Sequence, residues 1–209
     1  MTIIVEALKL PEDTRKWHMV ADFFRLRKEV FVERLDWPLH TAEEMEYEQY
    51  DSFSSVYIIA HEDGVVLGGT RLLRTTTHIG SYGTEGYSYM LRDAHLGKLD
   101  GLPSNICDEL PPIDEKIWEL TRLASDPKAM VGREVLNGAN DFLHSIRATH
   151  CLVLARPALF RMAKSMGFMP RALGKIRGNE NGKFIAFEST VIDRNNIKKP
   201  SERRVTTTA

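Results

Sequence analysis

Cysteine is scarce in this chain, with two among 209 residues, Cys107 and Cys151. They lie in unlike contexts and form no metal or dithiol motif, so the expectation is two reduced thiols in a cytoplasmic protein, with no resident metal. Net charge is nearly absent too, at -1 from 28 basic and 29 acidic residues. No overall bias favours nucleic acid or an anionic membrane, and any such patch would have to be local. No apolar run approaches the roughly 20 residues that span a bilayer. The opening Met1-Thr2-Ile3-Ile4-Val5-Glu6 reads as too short and too acidic for a signal peptide. No internal repeat is visible, and no domain boundary precedes a polar tail. What remains is a globular composition, 43% hydrophobic and 27% charged. It predicts one domain over 1–194 and a disordered tail over 195–209.

The pattern of elements is α/β. Thr2 to Leu8 reads as a strand. Pro11-Glu12-Asp13 opens a helix lasting to about Arg34, with acids near its start. Trp37-Pro38 ends it, and Leu39 to Asp51 reads as a polar, acidic loop. Val56 to His61 and Val65 to Arg74 are strands around the turn signal Glu62-Asp63-Gly64. Gly68-Gly69 suggests a bulge or a close backbone approach. The connection from Thr75 to Lys116 is long, hence functional or mobile, with a short helix from Met90 to Leu99. Ile117 to Ala124 is a strand, and Asp126-Pro127 signals a helix to about Arg147. Cys151 to Ala155 is a buried strand. Pro157 to Met166 is a helix with Gly167 beyond its end. Phe168 to Ile176 and Phe184 to Ile192 supply the last strands. The order implies a single domain with a mixed central sheet flanked by helices. Ile117 to Ala155 forms a parallel crossover.

Charge sits where this pattern predicts burial. Trp17, Val20, Phe24, Arg27 and Phe31 fall on one helical face. A guanidinium keeps its proton, so Arg27 on that face needs an anion. Acids follow at Glu43, Glu44, Glu46, Glu48 and Asp51. Alternation puts Arg71 among Val65, Leu67, Gly69 and Leu73. In Trp118-Glu119-Leu120-Thr121-Arg122-Leu123-Ala124, it puts Glu119 and Thr121 on one face and Arg122 on the other. Two readings of these charges stay open: an ion network that shapes the fold, or a site for a small charged substrate.

Four blocks in order carry a resemblance. Arg27, Phe31 and Trp37 form the first, and Glu48 with Asp51 the second. Arg71 in Gly69-Thr70-Arg71-Leu72-Leu73 is the third, and Glu119, Thr121 and Arg122 the fourth. Together, from about Arg25 to Ser125, the chain resembles the acyl-homoserine-lactone synthases of bacterial quorum sensing. That family shares its core with the Gcn5-related N-acyltransferases. Three features depart from its pattern. Glu48 stands where aspartate is usual, Met90-Leu91 is followed by His95 rather than an aromatic, and His78 to Ser88 looks like an insertion.

The resemblance implies an N-acyltransferase-like fold and an enzyme that joins an acyl thioester to S-adenosylmethionine, a co-substrate rather than a cofactor. The amine attacks the thioester, and the methionine carboxylate then displaces methylthioadenosine to close a lactone. Trp37 and Phe31 would offer π faces to the sulfonium or the adenine. Asp51 and Glu48 would suit the ammonium, and Arg27 the carboxylate or a structural acid. Glu119 is the candidate base, with Arg71 and Glu48 beside it as catalytic candidates. Thr121 and Arg122 are substrate-side candidates, Thr121 as an acyl contact or an ordinary strand residue. An N–H near Gly68-Gly69 or on the Ile117 strand would hold the oxyanion.

Before the central helix, Asp126-Pro127-Lys128-Ala129-Met130-Val131-Gly132-Arg133 holds one glycine, a poor cradle for the pyrophosphate of coenzyme A. This favours acyl carrier protein as donor. The basic residues Arg147, Arg156, Arg161, Lys164, Arg171, Lys175 and Arg177 form either a dock for that acidic partner or a solvated surface. The alternatives are an N-acyltransferase for another amine and a non-catalytic S-adenosylmethionine-binding relative.

Overall fold

The computed structural model describes residues 2–80 and 86–194. The tail at 195–209 and the middle of the 78–88 segment lie outside the described residues. A central sheet runs in the order β1 (Ile4–Lys9), β2 (Val56–Glu62), β3 (Val65–Arg74), β4 (Ile117–Ser125), β5 (His150–Ala155) and β6 (Gly182–Thr190). Arg171–Ala172 and Arg177–Asn179 add short antiparallel pairings to β6. Of the expected 168–176 strand, Arg171–Ala172 alone form a strand pairing among the described residues. β4 and β5 run parallel and the other neighbours antiparallel, so the sheet is mixed. Asp63 and Gly64, both at positive φ, make the tight β2–β3 turn.

The helix predicted from Pro11 to Arg34 starts at Thr14 and changes winding along its length. A 3₁₀ turn (Thr14–Lys16) leads into α1 (Trp17–Arg27), and Lys28–Arg34 is a π-helix. α2 is Met90–His95. α3 is Gly132–Ser145, starting later than Asp126-Pro127 signals. The Asp126 carboxylate and carbonyl instead accept from the amides of Lys128, Ala129 and Met130. Met130, at φ 51, then breaks the turn from the helix. α4 is Pro157–Ser165, followed by Gly167 at φ 89.

α1 and α3 cover opposite faces of the sheet. Val20, Phe23 and Phe24 of α1 pack on Tyr57, Ile59 and Ala124. Val135, Ala139 and Leu143 of α3 pack on Ile58, Leu72 and Leu120. Gly68 and Gly69 let both approach. A Cβ on Gly68 would lie 2.7 Å from Val131, and one on Gly69 2.9 Å from the Phe23 ring. Both glycines are also paired with β2 on one side and β4 on the other, which removes them as an oxyanion site.

Two bulges change which side chains share a face. On β3 the register with β2 shifts between Ala60 and His61, and Leu67 packs on the α3 side while Val66 packs on the α1 side. On β4 the register with β3 shifts between Gly69 and Arg71, where Arg122 takes φ 55. β4 and β5 pair only from Ile117–His150 to Leu120–Val153. Beyond Leu120 the two strands part, and β4 loses its β5 neighbour just where Thr121 and Arg122 stand.

Candidate active site

The bulge corrects the expectation for Arg122. Simple alternation assigns it to the Trp118 and Leu120 face. In the structure its guanidinium reaches Glu46 at 3.2 Å and Glu48 at 2.7 Å, on the side of Glu119 and Thr121. A residue at φ 55 adds one step to the strand, so the phase reverses there.

Arg27, Arg71 and Arg122 meet Glu46, Glu48 and Asp51 in one closed network. Arg27 comes from the last turn of α1, where the π-helix begins. It donates through Nε to Glu46 at 2.6 Å and through both terminal nitrogens to Asp51 at 2.8 Å. Arg71, from β3, donates to Glu48 at 2.7 Å and to Thr121 Oγ1 at 3.0 Å, with Asp51 Oδ1 3.0 Å from its Nη1. Asp51 also accepts from the Tyr57 hydroxyl and the Glu48 amide. Three cations and three anions cancel, which is how such a group survives burial.

Depth divides the network. The Arg27 and Arg71 side chains are fully buried, and those of Glu46 and Asp51 nearly so. Glu48 keeps 14% of its surface and Arg122 7%. Burial alone would raise the Asp51 carboxyl, but Arg71 and Arg27 outweigh it and hold it well below the usual carboxylate range. Burial would likewise raise Glu46, and Arg122 with Arg27 reverse this.

Glu119 stands beside the network with a different environment. Its oxygens accept from the amides of Met90 at 2.9 Å and Leu91 at 2.6 Å, at the start of α2. Burial pushes its carboxyl up to about 7, against the pull of the Leu91 amide and Arg71. Tyr50 lies over Arg71 at 5.5 Å and donates to Asp93 at 2.8 Å. Asp93 also accepts from the Ser88 amide and hydroxyl.

An aromatic wall borders the network. Asp36 at φ 54 turns the chain after the π-helix, and Trp37 folds back onto Phe31 with rings 5.3 Å apart and 10° from parallel. The Trp37 amide donates to the Phe31 carbonyl at 2.9 Å. The indole Nε1 is buried and has no hydrogen-bond partner among the described residues. Across the sheet, Leu120, Leu136, Leu143, Val153, Leu159 and Phe187 help line a small apolar pocket of about 50 Å³.

All the sequence-predicted site residues thus meet: Arg27, Phe31, Trp37, Glu48, Asp51, Arg71, Glu119, Thr121 and Arg122. Glu46, Tyr50 and Asp93 join them without having been singled out. Glu46 stood in the acidic run with no periodicity to separate it from exposed Glu43 and Glu44. His95 is apart from the network, and its Nδ1 accepts from the Cys107 amide at 3.3 Å. Burial raises the thiols of Cys107 to about 11 and Cys151 to about 12, so both stay protonated near neutrality. Among the described residues no group of His, Cys, Asp and Glu is arranged to hold a metal, and no helix is long and apolar enough to cross a membrane.

The comparisons with known proteins agree with this geometry. An acyl-homoserine-lactone synthase from Pseudomonas aeruginosa is 31% identical over 110 residues, covering 51% of this chain and 46% of the relative. The chain therefore spans under half the length of that relative. The solved CoA-dependent acyl-homoserine lactone synthase BjaI, with SAM and isopentyl-CoA, superposes with a TM-score of 0.76. It is 21% identical over 93% of this chain and 85% of its own. An acyl-CoA N-acyltransferase from Pseudomonas aeruginosa gives a TM-score of 0.56 at 17% identity, over 90% of this chain and 99% of its own. At these identities the two structures show a shared fold, that of the N-acyltransferases. The sequence model of the family described as autoinducer synthase matches residues 12–186, and the chain belongs to that family.

Proposed function

We propose that the chain is an acyl-homoserine-lactone synthase. It joins an acyl thioester to the amine of S-adenosylmethionine and closes the lactone with release of methylthioadenosine. The observation that carries this reading is the charge network and the Phe31–Trp37 stack, set beside the point where β4 and β5 part. The strand separation gives a thioester an entry and leaves backbone groups of β4 free to meet its carbonyl. Leu120 and Val153, the last paired residues, both line the small apolar pocket, whose lining would lead the acyl chain toward the α3 side of the sheet.

Asp51 already receives both terminal nitrogens of Arg27, along with Arg71, Tyr57 and the Glu48 amide, so its role is to hold the buried arginines. Glu48 and Arg122 are the outer members of the network. They serve the substrate's ammonium and carboxylate, and Trp37 serves its sulfonium or adenine, with Nε1 as a donor. Glu119, raised to about 7, takes the proton from the amine, directly or through water. The amine nitrogen then bonds to the thioester carbon as the thiolate leaves. In the second step a carboxylate oxygen attacks the side-chain carbon bonded to sulfur, and methylthioadenosine departs with the C–S electron pair.

Acyl carrier protein is the favoured donor, because the amides of Lys128, Ala129 and Met130 are already used by Asp126 and so are taken from any pyrophosphate cradle. The exposed cations Arg161, Lys164, Lys175 and Arg177 suit an acidic partner. The test is incubation with S-adenosylmethionine and matched acyl-CoA or acyl carrier protein. The expected products are methylthioadenosine and an N-acyl-homoserine lactone, formed faster from the carrier protein. Acyl transfer without methylthioadenosine would mean another amine is the acceptor, and tight S-adenosylmethionine binding without turnover a non-catalytic relative.

A further inference from the structure

Arg122, Phe31, Trp37 and Arg156 form one stack. The Arg122 Cζ lies 5.7 Å from the Phe31 centroid, and the Arg156 Cζ lies 5.5 Å from that of Trp37. A two-ring stack is therefore capped by a cation at each end. The two caps differ. Arg122 is tied to Glu46 and Glu48. Arg156 is exposed, and among the described residues it has no carboxylate partner. It follows Ala155, the last residue of β5, and so stands at the rim of the opening between β4 and β5. Its side chain runs past Gly182, where a Cβ would lie 4.0 Å from Nε and Nη2.

We propose that Arg156 binds the phosphate ester of the acyl donor and that Trp37 holds its guanidinium ready at the rim. This rests on the reading of the chain as an S-adenosylmethionine-dependent acyltransferase. Coenzyme A and acyl carrier protein both present their thioester on a pantetheine arm that begins at a phosphate. A guanidinium binds phosphate through paired, charge-assisted hydrogen bonds, which outweigh a ring contact at an exposed site. The stacked phenyl of Phe31 leaves Arg156 the other face of Trp37. A sulfonium seated on that face and the guanidinium exclude each other, so the first substrate turns Arg156 toward the path of the second.

The test compares Arg156→Gln with the parent chain on three thioesters of the same acyl group. These are octanoyl-CoA, octanoyl carrier protein and octanoyl-N-acetylcysteamine, which lacks the phosphate. The advantage in KM of both phosphate-bearing donors over the phosphate-free one should fall about tenfold, and Arg156→Lys should recover part of it. An equal change with all three donors, or none, overturns the proposal. A change confined to octanoyl-CoA also overturns it, because it would place the contact on phosphates that the carrier protein lacks. If the parent chain turns over none of the donors, the functional reading fails separately. Calorimetry of octanoyl-CoA and of octanoyl carrier protein then decides for Arg156: a roughly tenfold weaker Kd for both in Arg156→Gln supports the contact, and an equal Kd for either removes it.

Discussion

Arg71 and Leu72 are neighbours on β3, equally buried, and they face opposite sides of the sheet. Leu72 enters an apolar core closed by α3, where any side chain of the right volume would serve. Arg71 enters a network in which every charge has a named partner. The α3 face holds the fold together. The α1 face spends part of that stability on a charged centre whose geometry must be kept. A buried ion network is weak evidence for stability, but removing one member leaves its partners charged and unpaired.

The comparison breaks most sharply in paired substitutions. Arg71→Leu should cost about 3–5 kcal/mol at neutral pH, and Leu72→Ala about 2–5 kcal/mol. The pH dependence separates them. Asp51 is depressed in the folded state, so its contribution is present above the ordinary carboxylate range and lost as pH falls below it. Arg71 supplies much of that depression. The cost of Arg71→Leu should therefore shrink as pH drops below about 4, while that of Leu72→Ala stays level. Denaturant melts of both variants from pH 3 to 8 would check this. Parallel pH curves would mean that the network is not held by charge.

Much of this contrast was legible before any coordinates. Hydrophobic periodicity located the long strands and α1, and showed Arg27 and Arg71 as charges on apolar faces. Arg122 was misplaced because alternation assumes an unbroken strand, and a single residue at φ 55 reverses it. Glu46 was hidden for a different reason. Its burial depends on the small hairpin of Thr41–Ala42 and Met45–Glu46, which folds it under Arg27 while Glu44 stays at the surface beside Lys28. The π-helix has no signature in the apolar pattern either, because Phe31 stays buried at helical spacing under both windings.

Glu119 tests whether the α1 face does chemistry or only holds shape. Glu119→Gln should lower turnover about a hundredfold and leave S-adenosylmethionine binding intact. In the parent chain the rate should rise with pH through about 7, as the raised carboxyl loses its proton. The stability change has the opposite sign. A pKa raised in the folded state gives stability that is fully present below the unfolded value and lost as pH rises through the folded one, here between about 4.5 and about 7. Turnover that survives the substitution would leave Glu119 as the acceptor for the α2 amides and nothing more.

Trp37 gives the finest test, because it lies at the edge of the network, half-buried against Phe31 and Phe184. One side of its ring rests on buried Phe31, and the other meets exposed Arg156. If the wall serves the substrate, Trp37→Ala should weaken S-adenosylmethionine about tenfold, near 1.4 kcal/mol, with little change in melting temperature. Phe31→Ala, by contrast, removes a core ring and should cost stability first, about 3–5 kcal/mol. Calorimetric titration beside thermal melts would separate the two. A melt lowered equally by both substitutions would make Trp37 part of the core, and the substrate-facing edge would then be Glu48 and Arg122 alone.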